Sequence, residues 1–345
     1  MTGALSQYRA ANRRRAVIVL LLAVLTVTAL VLDLVTGPSG LPLDQTLRAL
    51  TGDESVGQTA SLIVWQVRLP VAAMALVVGA ALALAGAEMQ TVLENPLAEP
   101  FTLGVSSSAA LGAALAISLG ISLPFLPPLW SVSANAFLFA ALCLALLQLL
   151  SRLRGGGAET LILFGIALNF TAAACLALVQ FLSSADALQQ LVFWTMGSLA
   201  ASRWQGVALV AVVLALTTPL ALRAAWQLTA LRMGEDQARS FGVDVVRLRR
   251  AALVRVSLLA ASAVAMVGVV GFVGLAAPHI ARRLVGEDHR FFLPASLLCG
   301  ASMLSLASTF SKTLVPGVLL PVGLVTSLIG LPVFFALILR KGRSA

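Results

Sequence analysis

Charged side chains are scarce in this sequence. Only 11% of the 345 residues are Asp, Glu, Lys or Arg, whereas 59% are hydrophobic, and the mean hydropathy is +0.99. A soluble domain carries about 25% charged residues, and charged groups are costly in hydrocarbon. The depletion excludes an ordinary soluble protein and predicts an all-α, polytopic membrane protein that forms a single transmembrane domain over residues 1–345.

Motifs that bind nucleotides or carry catalysis are also missing. The chain contains no GxxxxGK[ST], HExxH, GxSxG or CxxC sequence. The cysteines Cys143, Cys175 and Cys299 lie in apolar runs without disulfide or metal spacing, so we interpret them as small buried hydrophobic residues. We therefore expect no catalytic residue, no metal site and no cofactor bound by this chain, and a membrane-embedded enzyme has no support in the sequence.

Acidic residues are rare within the apolar runs, where only Asp33 and Glu88 lie near run ends. Transporters driven by protons or sodium ions usually relay charge through intramembrane ionisable groups. The sequence therefore favours an energy source outside this chain. A secondary transporter or channel stays open as the alternative of another class, and its transport would respond to an uncoupler and not to ATPase mutations.

Ten apolar runs are candidate membrane-spanning helices, since a span needs about 20 apolar residues. The first run exceeds the usual length of a signal-peptide core and lacks a clear cleavage site, so we predict a retained helix. The eighth is short, and its glycines and Pro278 are predicted to interrupt the helix at membrane depth. The predicted bounds are roughly 16–36, 62–88, 101–120, 124–150, 160–182, 205–224, 250–270, 276–288, 293–315 and 318–339.

The basic residues sort to one side of these ten helices. If residues 1–15 form a cytoplasmic arm, 19 of the 23 Lys and Arg residues are cytoplasmic, as the positive-inside rule requires. Nine helices would place the basic C terminus outside, so an even number is favoured. This sorting accounts for the net charge of +9 without nucleic acid. The 19 residues are Arg9, Arg13, Arg14, Arg15, Arg152, Arg154, Arg223, Arg232, Arg239, Arg247, Arg249, Arg250, Arg255, Arg282, Arg283, Arg290, Arg340, Lys341 and Arg343.

A polar segment, RMGEDQARSFG at 232–242, lies inside the predicted cytoplasmic loop 225–248. Two acids come early, Arg239 comes late and Gly242 closes the segment. This order predicts a short helix matched to its own dipole. Such a helix in a cytoplasmic loop is a candidate docking element, and the alternative is a solvated loop helix without a partner.

Two other polar segments interrupt the apolar pattern. In QTVLENPLAEPFTLG, 90–104, Asn95 before Pro96 predicts a turn. In GFVGLAAPHIARRLVGEDHR, 271–290, His279 is predicted to be a hydrogen-bonded structural residue rather than a ligand, and His289 gives no metal spacing with it. The charged residues Arg282, Arg283, Asp288 and Arg290 are interpreted as a solvated cytoplasmic end.

Taken in order, these segments resemble the FecCD-type permeases of ABC importers for iron chelates, haem and cobalamin. The resemblance runs from about Arg68 to Arg343 and is specific because seven motifs occur in order at compatible spacing. They are RLP (68–70), GAEMQ (86–90), NPLAEP with LGVSSSAALGA (95–113), WTMGSL with Trp204 (194–204), GEDQARSFG (234–242), GFVGLAAPHIARRLVGEDHR (271–290) and LPVGLVTSLIGLPVFF (320–335).

The resemblance implies a type II importer fold in which two ten-helix permease subunits enclose a pore. It also implies two cytoplasmic ATP-binding subunits and an extracytoplasmic substrate-binding protein. The ATPase-coupling residues it implies are Arg232, Met233, Gly234, Glu235, Asp236, Ala238, Arg239 and Gly242. The pore and gate residues it implies are Gln90, Asn95, Pro96, Gly104, Gly271, Gly274, Pro278 and His279. Arg68 matches an outer arginine that the family is thought to use to dock the binding protein, and Lys312 is a candidate partial substitute for one that is lost.

The sequence departs from the family pattern at the implied docking positions. Val71 replaces a second Arg, Thr309 and Thr313 replace an Asp and an Arg, and Leu320 replaces a Glu. We therefore expect this chain to pair with a different permease subunit, although a homodimer stays open. The sequence leads us to expect a bacterial inner-membrane permease with both termini cytoplasmic that imports a ferric siderophore by alternating access. Haem and cobalamin are the alternative cargoes within the family.

Overall fold

The computed structural model describes residues 2–37, 40–53, 56–124, 127–153, 157–315 and 317–341. These residues form fifteen α-helices. Their bounds are α1 Thr2–Val35, α2 Leu43–Leu50, α3 Gln58–Leu62, α4 Leu69–Val92, α5 Val105–Leu119, α6 Pro128–Leu153, α7 Ala158–Leu182, α8 Ala185–Thr195, α9 Trp204–Arg223, α10 Ala225–Leu231, α11 Glu235–Ser240, α12 Val245–Val267, α13 Val273–Val285, α14 His289–Thr313 and α15 Val322–Lys341. A π-helical turn, Ile63–Arg68, joins α3 to α4, and a 3₁₀ turn, Pro100–Leu103, precedes α5.

Each of the ten predicted spans corresponds to one of these helices, namely α1, α4, α5, α6, α7, α9, α12, α13, α14 and α15. Among the described residues, 7 helices are long and apolar enough to cross a membrane, counting 58–92 as one. Helix α5 has 15 residues and α13 has 13. At 1.5 Å per residue both fall short of a hydrocarbon core about 30 Å thick.

Two predicted boundaries were wrong in an informative way. The arm predicted for residues 1–15 is helical from Thr2 onward and continues into α1, which has 34 residues. Helix α13 runs from Val273 to Val285 rather than over 276–288, and Pro278 lies inside it. Pro278 therefore does not interrupt the helix, because the break lies on its N-terminal side.

The break between α12 and α13 is held by close backbone packing. Gly268 and Phe272 both have positive φ, 72° and 67°, which is unusual for a phenylalanine. The amide of Ser198 donates to the carbonyl of Val267 at 2.8 Å. A Cβ at Gly323 would overlap the carbonyl oxygen of Val269. Protein therefore surrounds the non-helical backbone, which is the condition for such backbone at membrane depth.

Helix α4 forms the centre of the molecule. Nearly all of it is buried, and it contacts α9, α12, α13 and α14. A Cβ at Gly79 would overlap the carbonyl oxygen of Gly300 in α14, and one at Gly86 would overlap that of Gly274 in α13. Small residues thus let the helix backbones approach closely, which is how helices associate in lipid.

Two buried ion pairs join helices within this bundle. Glu88 of α4 accepts two hydrogen bonds from Nε of Arg255 in α12, at 2.9 and 3.0 Å. Lys312 of α14 donates to Asp33 of α1 at 2.7 Å. Arg255 was predicted to lie in a cytoplasmic stretch, and that side of the membrane stays a prediction. Its side chain is buried inside α12, and the charge of Glu88 compensates for the cost of that burial.

Polar contacts gather at two opposite ends of the bundle. At one end, Arg290 donates to the hydroxyl of Tyr8 at 3.0 Å. At the other end, Arg68 donates to the carbonyl of Val35 at 3.1 Å. Tyr8 and Val35 both belong to α1, so at 1.5 Å per residue the two ends lie about 40 Å apart. We call them the coupling end and the far end. Of the residues sorted by charge, Arg154 and Arg343 lie outside the described residues.

Candidate functional site

The segment 232–242, which we call the coupling segment, contains the predicted short helix. Helix α11 carries its acids in the first turn and Arg239 in the last. It ends where the amide of Gly242, at φ 80°, donates to the carbonyl of Arg239 at 2.9 Å. The amide of Val243 donates to the carbonyl of Ala238 at 3.0 Å. These bonds satisfy the last carbonyls of the helix and confirm the helix and its glycine-based termination.

Glu235 anchors α11 to the bundle. Its carboxylate pairs with Arg239 at 3.2 Å and also with the buried Arg249 of α12. Nε of Arg249 donates to the carbonyl of Val92, the last residue of α4, at 2.8 Å. The first turn of the coupling segment is thus fixed to the end of the central helix.

The outward face of the coupling segment is partly apolar. Met233 is 58% exposed and Phe241 is 53% exposed, on either side of α11. Asp236 and Gln237 are exposed between them, whereas Ala238 is buried beneath the helix. These two apolar side chains are candidate contacts for a partner protein, and that role stays a prediction.

The coupling segment is also tied to the turn between α13 and α14, residues 286–290, which we call the junction. Nε and Nη2 of Arg232 each donate to Glu287 at 3.0 Å, in a two-point pairing. Nε of Arg282, in α13, lies 3.2 Å from the same carboxylate. The guanidinium of Arg282 also sits 4.9 Å from the ring centre of Phe292. The interpretation of Arg282 as solvated was therefore wrong, because protein groups engage it.

His289 lies buried at the centre of the junction. Its Nε2 is 2.9 Å from the hydroxyl of Thr91 in α4, and its Nδ1 is 3.1 Å from the hydroxyl of Thr229 in α10. Its backbone amide donates to Thr229 at 3.0 Å. Both ring nitrogens are thus engaged by threonines. Sequence reasoning considered His289 only as a metal ligand and missed this role, because its partners are 60 and 198 residues away.

Asp288 links the junction to α1. It accepts a hydrogen bond from the amide of Arg290 at 3.1 Å at the start of α14, and it lies 3.6 Å from Arg15. The hydrogen bond from the side chain of Arg290 holds the pKa of the Asp288 carboxyl below its ordinary value. Asp288 therefore stays ionised near neutral pH and keeps α1 attached to the junction.

Three of the predicted pore and gate residues meet beside the break. Pro278 has no N–H, so within α13 the carbonyl of Gly274 lacks its usual helical donor. Nε2 of Gln90 donates to the carbonyls of Gly274 and Leu275 at 3.4 and 3.3 Å. Nη1 of Arg282 in turn donates to Oε1 of Gln90 at 3.2 Å. Gln90 therefore supplies the donor that the proline removes.

The other predicted pore and gate residues are more dispersed. The amide of Leu97 donates to the side chain of Asn95 at 2.9 Å, which confirms the predicted turn. Pro96 is exposed. Gly104 begins α5 and packs against Asn169 of α7, whereas Gly271 faces open space. His279 is half-buried on α13. The pore and gate roles of these residues stay predictions.

Glu99, in the turn before α5, was missed by sequence reasoning. It is only 8% exposed, and it caps the 3₁₀ turn through its side chain. Its Oε2 has no hydrogen-bond partner among the described residues and lies beside Gly274. Burial raises the pKa of the Glu99 carboxyl from 4.5 to about 7. This carboxyl therefore takes up or releases its proton near neutral pH.

The two predicted docking cations face inward. Arg68 also donates to the hydroxyl of Thr46 at 3.0 Å, and it is 4% exposed. Lys312 is paired with Asp33. Lys312 and Arg68 both line a cavity of about 90 Å³, together with Ser308 and Ser311. Both cations lie at the far end, as predicted, but neither is presented at the surface. Their docking role stays a prediction.

Comparisons with known proteins agree with the class of protein that this all-helical architecture indicates, a polytopic membrane protein. The model of the FecCD transport family matches residues 22–340. The chain therefore belongs to the FecCD transport family of ABC importer permeases.

Individual relatives cover most of the chain. The hemin transport system permease protein HmuU of Yersinia pestis is 40% identical, over 81% of this chain and 84% of that protein. The vitamin B12 import system permease protein BtuC of Klebsiella pneumoniae is 35% identical over 93% of each. A solved metal-chelate type ABC transporter in an inward-facing conformation superposes with a TM-score of 0.81 at 32% identity, covering 94% of this chain and 99% of that one.

Proposed function

We propose that this chain is the membrane subunit of an ATP-driven importer for ferric siderophores in a bacterial cytoplasmic membrane. The observation that carries the proposal is the coupling segment. It exposes Met233 and Phe241 on either side of its short helix, Glu235 links it through Arg249 to the end of α4, and Arg232 links it to the junction. An ATPase outside the membrane can move the membrane helices only through a contact surface that is rigidly joined to them.

In this mechanism the importer has two separate ATP-binding subunits, and one of them docks on Met233 and Phe241 of this chain's coupling segment. Closure of the ATPase pair moves the segment, and the permease pair alternates between outward-open and inward-open states. A ligand or nucleotide shifts such an equilibrium only through different affinity for the two states. The sequence of this chain carries no nucleotide-binding loop, which is consistent with hydrolysis in the partners.

The coupling end is assigned to the cytoplasm. This end contains Tyr8, Arg290 and the coupling segment, and it is rich in arginine. Arg239, Arg247 and Arg250 are exposed there. Positive residues are retained on the cytoplasmic side. This orientation places the N terminus inside the cell and the cavity lined by Arg68 and Lys312 on the outer side, toward a binding protein.

The cargo assignment rests on the chemistry of the far end. A cavity of about 380 Å³ there is lined mainly by apolar and small polar side chains, and it includes one arginine. Representative lining residues are Met74, Trp130, Ser133, Trp194, Ser202 and Arg203. Such a wall suits a neutral chelate with an apolar and amide exterior and does not read the metal ion itself. Haem and cobalamin are the alternative cargoes, because relatives of this chain are named as hemin and vitamin B12 permeases. Uptake of both should therefore be measured beside that of a siderophore.

Uptake measurements test the cargo. In a strain lacking this chain, we expect uptake of a radio-iron hydroxamate siderophore to fall to background and to return with the wild-type gene. Haem and cobalamin uptake should be unchanged. Loss of haem or cobalamin uptake alone would reassign the cargo, and uptake abolished by an uncoupler but insensitive to inactive ATPase subunits would favour a secondary transporter.

The second permease subunit is proposed to be a different chain. Thr309, Thr313 and Leu320 occupy places where the family pattern has charges, and Lys312 is already paired within the chain. A partner that keeps those charges would complete the docking surface. Co-purification of a transport-competent homodimer would contradict this proposal.

A docking variant tests the ATPase interface. Phe241→Asp places a charge on the exposed apolar face and should lower co-purification of the ATPase subunits at least five-fold. Gln7→Asp adds the same charge at an exposed position on α1, outside the coupling segment, and should leave association unchanged. Equal association of both variants with the ATPase would remove Phe241 from the interface.

A further inference from the structure

The junction, residues 286–290, contacts the coupling segment, α13, α10 and α4 at the coupling end. Glu287 holds Arg232 of the coupling segment and Arg282 of α13. His289 lies between Thr229 of α10 and Thr91 of α4. Few short turns bring four elements together through side-chain hydrogen bonds, and most side-chain hydrogen bonds are made to backbone or water instead.

An unbroken series of polar contacts runs from the coupling segment to the break in the bundle. Arg232 donates to Glu287 at 3.0 Å, and Arg282 lies 3.2 Å from Glu287. Arg282 donates to Gln90 at 3.2 Å, and Gln90 donates to the carbonyl of Gly274 at 3.4 Å. The series ends on the first turn of α13, where the backbone is already non-helical on the N-terminal side.

The backbone of the junction suits a hinge. Helix α13 ends at Gly286, which has φ 81° and whose amide donates to the carbonyl of Arg282 at 2.9 Å. Helix α14 restarts at His289 under the cap of Asp288. With α13 only 13 residues long, a displacement applied at Glu287 reaches Gly274 through one rigid element about 20 Å long.

We propose that the junction transmits movement of the coupling segment to α13 and α4 during the transport cycle, with Glu287 and His289 as its positioning residues. The inference rests on the proposed ATP-driven function. It assigns to 286–290 a role distinct from ATPase binding, since His289 is buried in the bundle and Glu287 pairs with Arg232 and Arg282. Coupling of this kind needs a contiguous network whose members depend on one another, which mutant cycles can measure.

The test uses the assembled importer, with its ATPase and binding-protein partners, in proteoliposomes. Glu287→Gln keeps the shape of the side chain and removes the charge that holds Arg232 and Arg282. We expect ATP hydrolysis within two-fold of the wild type, ATPase subunits fully retained, and radio-iron siderophore uptake per ATP hydrolysed at least ten-fold lower. Glu159→Gln, an exposed acid in the first turn of α7, is the matched control and should behave as the wild type.

A mutant cycle separates transmission from local damage. Arg232→Gln should reproduce the uncoupling, and the double variant Arg232→Gln/Glu287→Gln should be no worse than either single variant, because both changes break the same contact. If Glu287→Gln fails to assemble, Arg232→Gln alone decides the question by the same uptake ratio. The thermal midpoint of each purified variant shows whether it has folded.

Several outcomes would overturn the inference. Wild-type uptake per ATP in Glu287→Gln, loss of ATPase binding in place of loss of coupling, or fully multiplicative effects of the two substitutions would each do so. Absence of ATP-dependent siderophore uptake by the wild-type importer is a different result. It would reject the proposed function itself, and with it the cycle in which the junction acts.

Discussion

At the scale of single residues, the polar groups that matter are the buried ones. The exposed arginines indicate the orientation of the chain, whereas Glu88, Glu99 and His289 are buried inside the protein. Glu88 and His289 are held by specific partners, and Oε2 of Glu99 has no hydrogen-bond partner among the described residues. A buried polar group without a partner is costly, so each such group points to a constraint beyond packing. Glu99 and Glu88 lead to two predictions.

Glu99 makes the stability of the fold depend on pH. Its pKa is raised from 4.5 to about 7, so the folded state binds more protons than the unfolded state between these values. Stability should therefore fall as pH rises through this window, by up to about 3 kcal/mol. Glu99→Gln cannot ionise but keeps a carbonyl oxygen for the cap. The variant should unfold at a higher temperature than the wild type at pH 8.

At pH 4.5, where the unfolded carboxyl is half-protonated and the folded one is neutral, the two proteins should differ much less. Thermal unfolding in detergent at both pH values checks this expectation. Equal thermal midpoints of the wild type and Glu99→Gln at pH 8 would show that the pKa of the Glu99 carboxyl is not raised. The exposed control Glu159→Gln should change neither profile.

The buried ion pair of Glu88 and Arg255 predicts that removing one charge lowers stability more than removing both. Glu88→Gln leaves the Arg255 charge buried and uncompensated, which should cost about 3–5 kcal/mol. The double variant Glu88→Gln/Arg255→Met removes the charge as well and should recover most of that loss. Thermal midpoints of the purified variants measure both effects. Losses that simply add in the double variant would mean that the two side chains do not depend on each other.

At the scale of elements, sequence reasoning found the helices and missed their ends. Hydropathy predicted ten helices because continuous apolar composition is itself the signal in a bilayer. The start of α13 was three residues off, because Phe272 adopts a left-handed conformation that its residue type does not indicate. Pro278 was interpreted as a break, but Gln90, 188 residues before it, supplies the missing hydrogen bond to Gly274.

Close packing of α4 on α13 is the element-scale feature that a single methyl group can test. In Gly86→Ala the new Cβ would overlap the backbone carbonyl of Gly274. A backbone group cannot swing aside, so the two helices must separate. Overpacking of this kind costs about 1–3 kcal/mol, which outweighs the gain in helix propensity of about 1 kcal/mol. We expect a lower thermal midpoint and reduced transport.

The matched control is Gly271→Ala, beside the same helix. A Cβ there meets nothing within 4 Å, and the φ of Gly271 is not positive. Its thermal midpoint should stay near that of the wild type. If Gly86→Ala proves as stable as Gly271→Ala, the approach of α4 to α13 is looser than the structure shows.

At the scale of the whole molecule, the sequence predicted the class of protein and the division of charge between two ends. It could not predict the contacts that join those ends to the interior. Glu88 and Arg255 are 167 residues apart, and Arg232 and Glu287 are 55 apart. Neither separation produces a periodic signal in the sequence. The short helix α11 was predictable because its acids, base and glycine are all local.

Orientation of the whole chain in the membrane can be tested at two exposed sites. Ser240 lies on α11 at the coupling end, and Gln45 lies on α2 near Thr46 at the far end. Single cysteines at these sites would be introduced after replacing Cys143, Cys175 and Cys299 with alanine. Spheroplasts are then treated with a membrane-impermeant thiol reagent. We expect Gln45→Cys to react from outside and Ser240→Cys to react only after lysis.

The charge of the chain is linked to its proposed mechanism through the orientation of the coupling end. Arginines at the coupling end favour a cytoplasmic location of that end, and in the proposed mechanism the coupling segment must be cytoplasmic to meet subunits that hydrolyse ATP. Labelling of Ser240→Cys in sealed spheroplasts would place the segment outside, where no ATPase could push it. Both the proposed importer and the transmitting role of residues 286–290 would then be untenable, whereas the helical fold itself would be unaffected.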